Sequence, residues 1–163
     1  MAYNVKYSVP TGLVWLAFLA AVAVSPSGAL AQIEVTGATI LELQDAMASG
    51  RATSAGITQQ YLDRIAAYDQ SGPAINAIVW LNEGAVAEAA ALDRERATTG
   101  PRGPMHGIPV ILKDNYNTTD MPTTAGTLAL AWNMAAEDAF QVTRLREAGA
   151  VIVGKANLHE LAS

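Results

Sequence analysis

One lysine in the second half of the chain could act as a catalytic base. Lys113 comes directly after the continuous apolar run 108–112, and such runs suit strands that are buried on both faces. Site residues cluster at the carboxyl ends of strands in open α/β sheets. A lysine partly removed from water there supplies a neutral amine, which Ser–Lys acyl transfer needs as its base. Position alone favours a plainer role, in which the ammonium reaches solvent or pairs with Asp114.

The connection after this lysine carries the candidates for substrate contact. It runs from residue 114 to about 136, which is long for a compact domain, and loops of that length are usually functional or disordered. Its small polar residues suit a loop packed over a site. Thr123, Thr124 and Gly126 are therefore the candidates, although no substrate-binding residue is assigned.

Four more polar residues lie beside the predicted strands. Asp114 and Asn115 follow Lys113 and could orient it or the loop, with a purely local role as the open alternative. His106 precedes a strand start, and we expect it to make structural hydrogen bonds. Lys155 follows the apolar run 151–153, and we expect it to be structural rather than catalytic.

The elements that must position Lys113 form an α/β pattern. Helical spacing of apolar residues predicts a helical first half, in which Gly50 is a stop and Ser54 an N-cap. Turn residues at 69–73 end the second helix. The predicted elements before residue 100 are helices over 40–48, from Ser54 to that turn and over 83–98, and a strand over 77–81.

The second half predicts a parallel βαβ unit. Strands are predicted over 108–112 and 151–153, with Pro109 placed at the start of the first because it lacks a donor. A helix over 137–148 connects them, and a right-handed parallel crossover follows. We expect this helix to face inward with the apolar residues Phe140, Val142, Leu145 and Ala148.

Three blocks of sequence match one enzyme family in order and spacing. Residues 103–115 are Gly-Pro-Met-His-Gly-Ile-Pro-Val-Ile-Leu-Lys-Asp-Asn, residues 123–126 are Thr-Thr-Ala-Gly, and residues 153–162 are Val-Gly-Lys-Ala-Asn-Leu-His-Glu-Leu-Ala. These blocks resemble the amidase-signature family, and the helical segment at 61–65 is similar in kind. The resemblance covers roughly residues 38–163, and three ordered blocks are a far more specific signal than one.

The resemblance implies a fold and a mechanism. The fold is α/β with a mixed sheet, and residues 32–163 are its incomplete N-terminal portion, a helical lead-in followed by βαβ elements. The family hydrolyses carboxamide C–N bonds with a nucleophilic serine, a second serine in a cis peptide and a lysine, which Lys113 matches. Small-molecule or peptide amides are then the substrates, without a cofactor. Both serines are expected downstream of residue 163, because the chain has no Gly-Ser-Ser-Gly-Gly run.

The first 31 residues have the features of a secretory signal peptide in the right order. Lys6 provides the charge, residues 13–24 are all apolar, and Ala-Leu-Ala at 29–31 is a small-residue cleavage site. The apolar run is shorter than the roughly 20 residues of a membrane-spanning helix. An uncleaved anchor or a buried helix is the alternative. We expect export to the periplasm or the medium.

Composition excludes several other functions. The chain is 51% hydrophobic and 15% charged, which is typical of a folded domain rather than a disordered tail. Its formal net charge of −5 does not attract nucleic acid or an anionic membrane, so neither partner is predicted. Two histidines and no cysteine do not favour a metal site or a disulfide.

Two alternatives to an exported amidase stay open. The chain could be a truncated, non-catalytic product, because it lacks the serines that the resemblance requires. It could also belong to an amidotransferase subunit of the A type, which acts on aminoacylated tRNA and shares these motifs. The predicted signal peptide counts against the second alternative, since the amidotransferase reaction on aminoacylated tRNA takes place in the cytosol.

Overall fold

The computed structural model describes residues 33–162, so the predicted signal peptide lies outside the described residues. The described part is a mixed α/β structure. Its elements are α1 (Ile40–Ala48), α2 (Ser54–Tyr68), β1 (Ile78–Leu81), α3 (Ala85–Thr99), β2 (Pro109–Lys113), α4 (Phe140–Glu147) and β3 (Val151–Ala156), with short 3₁₀ turns at Leu128–Leu130 and Glu160–Ala162. None of the helices in this part is long and apolar enough to cross a membrane.

The three strands form a mixed sheet in the order β1-β3-β2. β2 and β3 are parallel and α4 lies between them in the chain, which confirms the predicted parallel βαβ unit. β1 pairs with β3 in the antiparallel direction. β3 is therefore the central strand, with a neighbour on each side.

The strands differ from prediction at their carboxyl ends. Pro109 begins β2 as expected, but Lys113 is the last residue of that strand rather than the residue after it. β3 continues to Ala156, beyond the predicted end at residue 153, so that Lys155 lies inside it. The reason is pairing on both sides, because Lys155 is opposite Trp80 of β1 and Leu112 of β2.

The helical first half follows its sequence signals with one correction. Gly50 adopts a positive φ of 70° after α1, as expected of a stop residue. The N-cap of α2 is Thr53, whose hydroxyl accepts a hydrogen bond from the Gly56 N–H. Ser54 is not the cap, because its hydroxyl donates to the Gly107 carbonyl instead, over 2.7 Å.

The helix α4 is shorter than the prediction of 137–148. Residues before it are held by the preceding loop, because the Ala139 N–H donates to the Asn117 carbonyl and the Asp138 carboxylate accepts from the Thr119 N–H. Phe140, the first helical residue, is 75% exposed, so the prediction that it faces inward is wrong. Val142 is fully buried, as predicted.

Packing around β3 requires a glycine at position 154. A Cβ atom added there would lie 2.5 Å from the carbonyl oxygen of Trp80, far inside contact distance. On one side of the sheet, Leu112 and Ile152 pack with Met121 and Val142. Val151 and Val153 pack against α3 on the other side. The absence of a side chain at Gly154 therefore lets β1 approach the central strand.

Candidate active site

Lys113 stands at the carboxyl end of β2 with its side chain exposed. It is paired with Ala156 in the parallel register. Because side chains alternate along a strand, Lys113 points to the same side as the exposed Ile111, whereas Leu112 between them is buried. The removal from water that we expected for this lysine is therefore not present within the described residues.

Asp114 fixes the backbone directly after this lysine. Its N–H donates to the Ala156 carbonyl over 3.0 Å, and its own carbonyl accepts from the Ala125 N–H over 3.0 Å. Its fully buried carboxylate accepts hydrogen bonds from the backbone N–H and the hydroxyl of Thr124. Asp114 thus ties the end of β2 to β3 and to the loop, and an effect on the orientation of Lys113 stays a prediction.

Lys155 is the second lysine at this end of the sheet, and it is fully buried. Its ammonium donates to the Pro122 carbonyl over 2.7 Å and to the Thr123 hydroxyl over 2.6 Å. The nearest carboxylate oxygen of Asp114 lies 3.7 Å away, so the two residues form a buried ion pair. Burial lowers the pKa of Lys155, and the negative charges of Asp114 and Asp120 oppose that shift.

The three candidates for substrate contact lie together in the loop beside these residues. Thr123 and Thr124 are buried, and their hydroxyls are used within the protein, by Lys155 and Asp114 respectively. Gly126 is exposed and has a φ of +73°, and an added Cβ would lie 2.9 Å from the Leu158 carbonyl oxygen. A glycine is therefore required at that turn.

Two clefts lie beside the sheet. One of about 400 Å³ opens beside the loop and is lined by residues that include Trp80, Thr124 and Gly126. A larger apolar cleft of about 570 Å³ lies between α2 and the side of β2 that carries Ile111. Lys113 lines neither cleft.

His106 has the structural role expected for it. It is fully buried, and its Nε2 lies 2.9 Å from the Leu92 carbonyl oxygen. Its Nδ1 accepts from the Arg102 N–H over 3.2 Å, so Nε2 must be the protonated nitrogen that donates to Leu92. Both ring nitrogens are therefore occupied. Across residues 33–162, no group of three or more histidine or acidic side chains could hold a metal ion.

Two scaffold carboxylates were not recognised in the sequence. The carboxylate of Asp93 on α3 accepts from the backbone N–H groups of Ser54 and Ala55 and so caps α2. Asp69 was assigned only to a turn, yet its buried carboxylate accepts from the N–H groups of Ala77 and Ile78 at the start of β1. The Asp93 contacts join residues 38 and 39 positions apart, and the Asp69 contacts span eight and nine positions. Both separations exceed the roughly two to four positions of local cap and turn patterns, so those patterns did not indicate the contacts.

Comparison with protein families identifies the family to which this chain belongs. The amidase family model matches residues 56–163, about two thirds of the chain and every residue from Lys113 to Lys155. The chain belongs to the amidase family. The resemblance of the three sequence blocks is thereby confirmed. Lys113 lies within the matched region, at the end of β2.

Several amidase relatives are similar to most of this chain. A Schizosaccharomyces pombe amidase is 48% identical over 131 residues, which are 80% of this chain and 22% of that protein. The A-type glutamyl-tRNA(Gln) amidotransferase protein of Salinispora arenicola is 40% identical over 130 residues, which are 79% of this chain and 26% of that protein. The chain thus spans about a quarter of the length of these relatives.

The fold agrees with solved amidase structures. The peptide amidase from Stenotrophomonas maltophilia superposes with a TM-score of 0.72 at 50% identity, over 74% of this chain and 25% of that one. An amidase family protein from Bacillus anthracis superposes with a TM-score of 0.74 at 41% identity, over 77% of this chain and 25% of that one. The predicted fold class, part of a mixed α/β amidase fold, is therefore confirmed.

Proposed function

We propose that this chain is the N-terminal portion of an amidase that hydrolyses carboxamide C–N bonds, with Lys113 as its catalytic base. The observation that carries the proposal is the position of Lys113 at the carboxyl end of β2, within the region that matches the amidase family. The nucleophilic and cis-peptide serines would lie in the part of the relatives' length that this chain does not cover.

The chemistry follows from the Ser–cis-Ser–Lys arrangement that the resemblance implies. The neutral amine of Lys113 accepts a proton from the second serine, which takes one from the nucleophile as it attacks the amide carbonyl. Backbone N–H groups stabilise the resulting oxyanion. The proton returns to the leaving nitrogen, ammonia or an amine departs, and water then hydrolyses the acyl-enzyme by the same route.

The direct test is amide turnover by the full-length protein. A C-terminally amidated dipeptide is a suitable substrate, because a peptide amidase is 50% identical to this chain. Lys113→Ala should lower ammonia release by about 10³-fold or more, since a general base contributes up to about 10⁴-fold. Lys113→Arg should be as inactive, because a guanidinium keeps the charge but cannot supply a neutral amine. Turnover by Lys113→Ala at the wild-type rate would exclude the proposed role.

A second candidate function is supported by the amidotransferase relatives. The Salinispora arenicola protein is named as part of a glutamyl-tRNA(Gln) amidotransferase, and it is 40% identical to this chain. An amidotransferase role predicts glutamine hydrolysis that rises when glutamyl-tRNA and partner subunits are added. An exported amidase predicts turnover that does not respond to either addition.

Export is a further part of the proposal. It is motivated by the order of Lys6, the apolar run 13–24 and the Ala-Leu-Ala site at 29–31. The native protein in the exported fraction should begin at Gln32, as measured by intact mass and N-terminal sequencing. A mass well above 17.0 kDa would support the longer amidase. A mass slightly below that value would favour the non-catalytic product, and an uncut intracellular protein would favour the amidotransferase.

A further inference from the structure

A lysine buried inside the sheet is the least expected feature of this region. Lys155 is 0% exposed, and its neighbours in register, Trp80 and Leu112, belong to an apolar cluster. Removing an ammonium from water is costly unless it is paired and hydrogen-bonded. A methionine would fill similar space without that cost. The ammonium is therefore explained by its polar contacts rather than by its packing.

All of these contacts are made to the segment that follows β2. The ammonium holds the Pro122 carbonyl and the Thr123 hydroxyl, and it faces the carboxylate of Asp114. Lys155 itself lies on β3, which is paired with a strand on each side. The central strand β3 thus holds the loop through a carbonyl, a hydroxyl and a carboxylate.

This anchor acts on Lys113 through its neighbour in the chain. Asp114 is bound to β3 by its N–H and to the loop by its carbonyl and carboxylate, so the peptide that joins it to Lys113 cannot turn freely. Lys155 does not face Lys113, because it is paired with Leu112 and adjacent strand residues point to opposite sides. Its effect on Lys113 must therefore be indirect.

We infer that Lys155 is a positioning residue, whose buried contacts with Pro122, Thr123 and Asp114 hold the strand end from which Lys113 acts as base. The inference rests on the proposed function, because it concerns the geometry of that base. Small displacements of a catalytic group cost about 100-fold in rate. Lys155 does not touch substrate, so its loss should lower kcat and leave KM nearly unchanged.

The test combines turnover with backbone hydrogen exchange in the full-length protein. Lys155→Met should lower kcat for a C-terminally amidated dipeptide by about 100-fold. In the same variant, exchange of the segment 113–126, which includes the Asp114 and Ala125 amides, should become about tenfold faster. Ile57→Ala is the matched control, because Ile57 is fully buried in a separate cluster. It should lower the melting temperature but change neither kcat nor exchange of that segment.

A second, milder variant keeps the test informative if Lys155→Met does not fold. Thr123→Val removes one acceptor of the ammonium and keeps the shape of the side chain. It should lower kcat about tenfold, as loss of a supporting contact does at other sites. Lys155→Arg keeps the cation and should restore part of the lost kcat.

Each result bears on the positioning role in a defined way. Unchanged exchange of segment 113–126 in both Lys155→Met and Thr123→Val would overturn it. Faster exchange with kcat no lower than in Ile57→Ala would also overturn it, and would leave Lys155 as an anchor of stability only. If wild type hydrolyses no amide, or Lys113→Ala is fully active, the proposed function fails, while the exchange data still decide whether Lys155 holds the segment.

Discussion

Two lysines lie at or near the carboxyl ends of neighbouring parallel strands of this sheet, and they differ in burial and in contacts. Lys113 ends β2 and is exposed, whereas Lys155 near the end of β3 is fully buried and bound to two oxygen atoms. Both follow runs rich in valine and isoleucine. Under the proposed roles, the lysine that must meet a substrate is left reachable, while the lysine that positions it is immobilised inside the fold.

The largest expected effect is a contrast in stability between the two lysines. Lys155→Met removes one partner of a buried ion pair and leaves Asp114 uncompensated, which costs about 3 kcal/mol or more. Lys113→Met changes an exposed side chain and should alter the free energy of unfolding by less than about 0.5 kcal/mol. Urea unfolding of the full-length variants measures both values. Equal losses of stability would break the comparison.

Phe140 and Lys155 show how far the sequence could predict this structure. The apolar runs indicated β2 and β3 with their parallel connection, and three motif blocks indicated the family. The helical periodicity predicted that Phe140 faces inward. Because the preceding loop holds residues 138 and 139, α4 begins at Phe140, and this side chain is exposed. The ion pair of Lys155 and Asp114 joins residues 41 positions apart. Only the folded register brings them together, so no local pattern could reveal the pair.

A smaller effect is expected when the stability of the protein is measured against pH. The negative charge of Asp114 offsets part of the lowering of the Lys155 pKa that burial causes. Burial lowers the pKa of Lys155 from its ordinary 10.5. Between the lowered pKa and 10.5, the unfolded chain binds this proton more than the folded chain does. The free energy of unfolding of wild type, minus that of Lys155→Met, should therefore rise with pH through the interval between the lowered pKa and 10.5. A difference that stays flat or falls would contradict burial as the dominant cause.

The smallest expected effect on stability comes from a threonine in the helical half. It compares a buried hydroxyl that lacks a hydrogen-bond partner with one that binds Lys155. Thr58 is fully buried on α2, and its hydroxyl has no hydrogen-bond partner in the described part of the chain. Thr58→Val should therefore stabilise the protein by up to about 1 kcal/mol. The same change at Thr123, whose hydroxyl holds Lys155, should destabilise it by about 1 kcal/mol or more. Thermal melts of both variants would show opposite shifts.

The glycine beside the buried lysine has a consequence for mutational scanning. Every other residue at position 154 would drive a Cβ into the Trp80 carbonyl, so almost all substitutions there should deplete folded protein. Most substitutions at Lys155 should also lower abundance, because they remove one partner of the buried ion pair, but they should lower activity further. Two adjacent codons would then both score as intolerant, one for steric reasons and the other for electrostatic ones. A scan that reads abundance and turnover separately would distinguish them, whereas a single fitness score would merge them into one apparent hot spot.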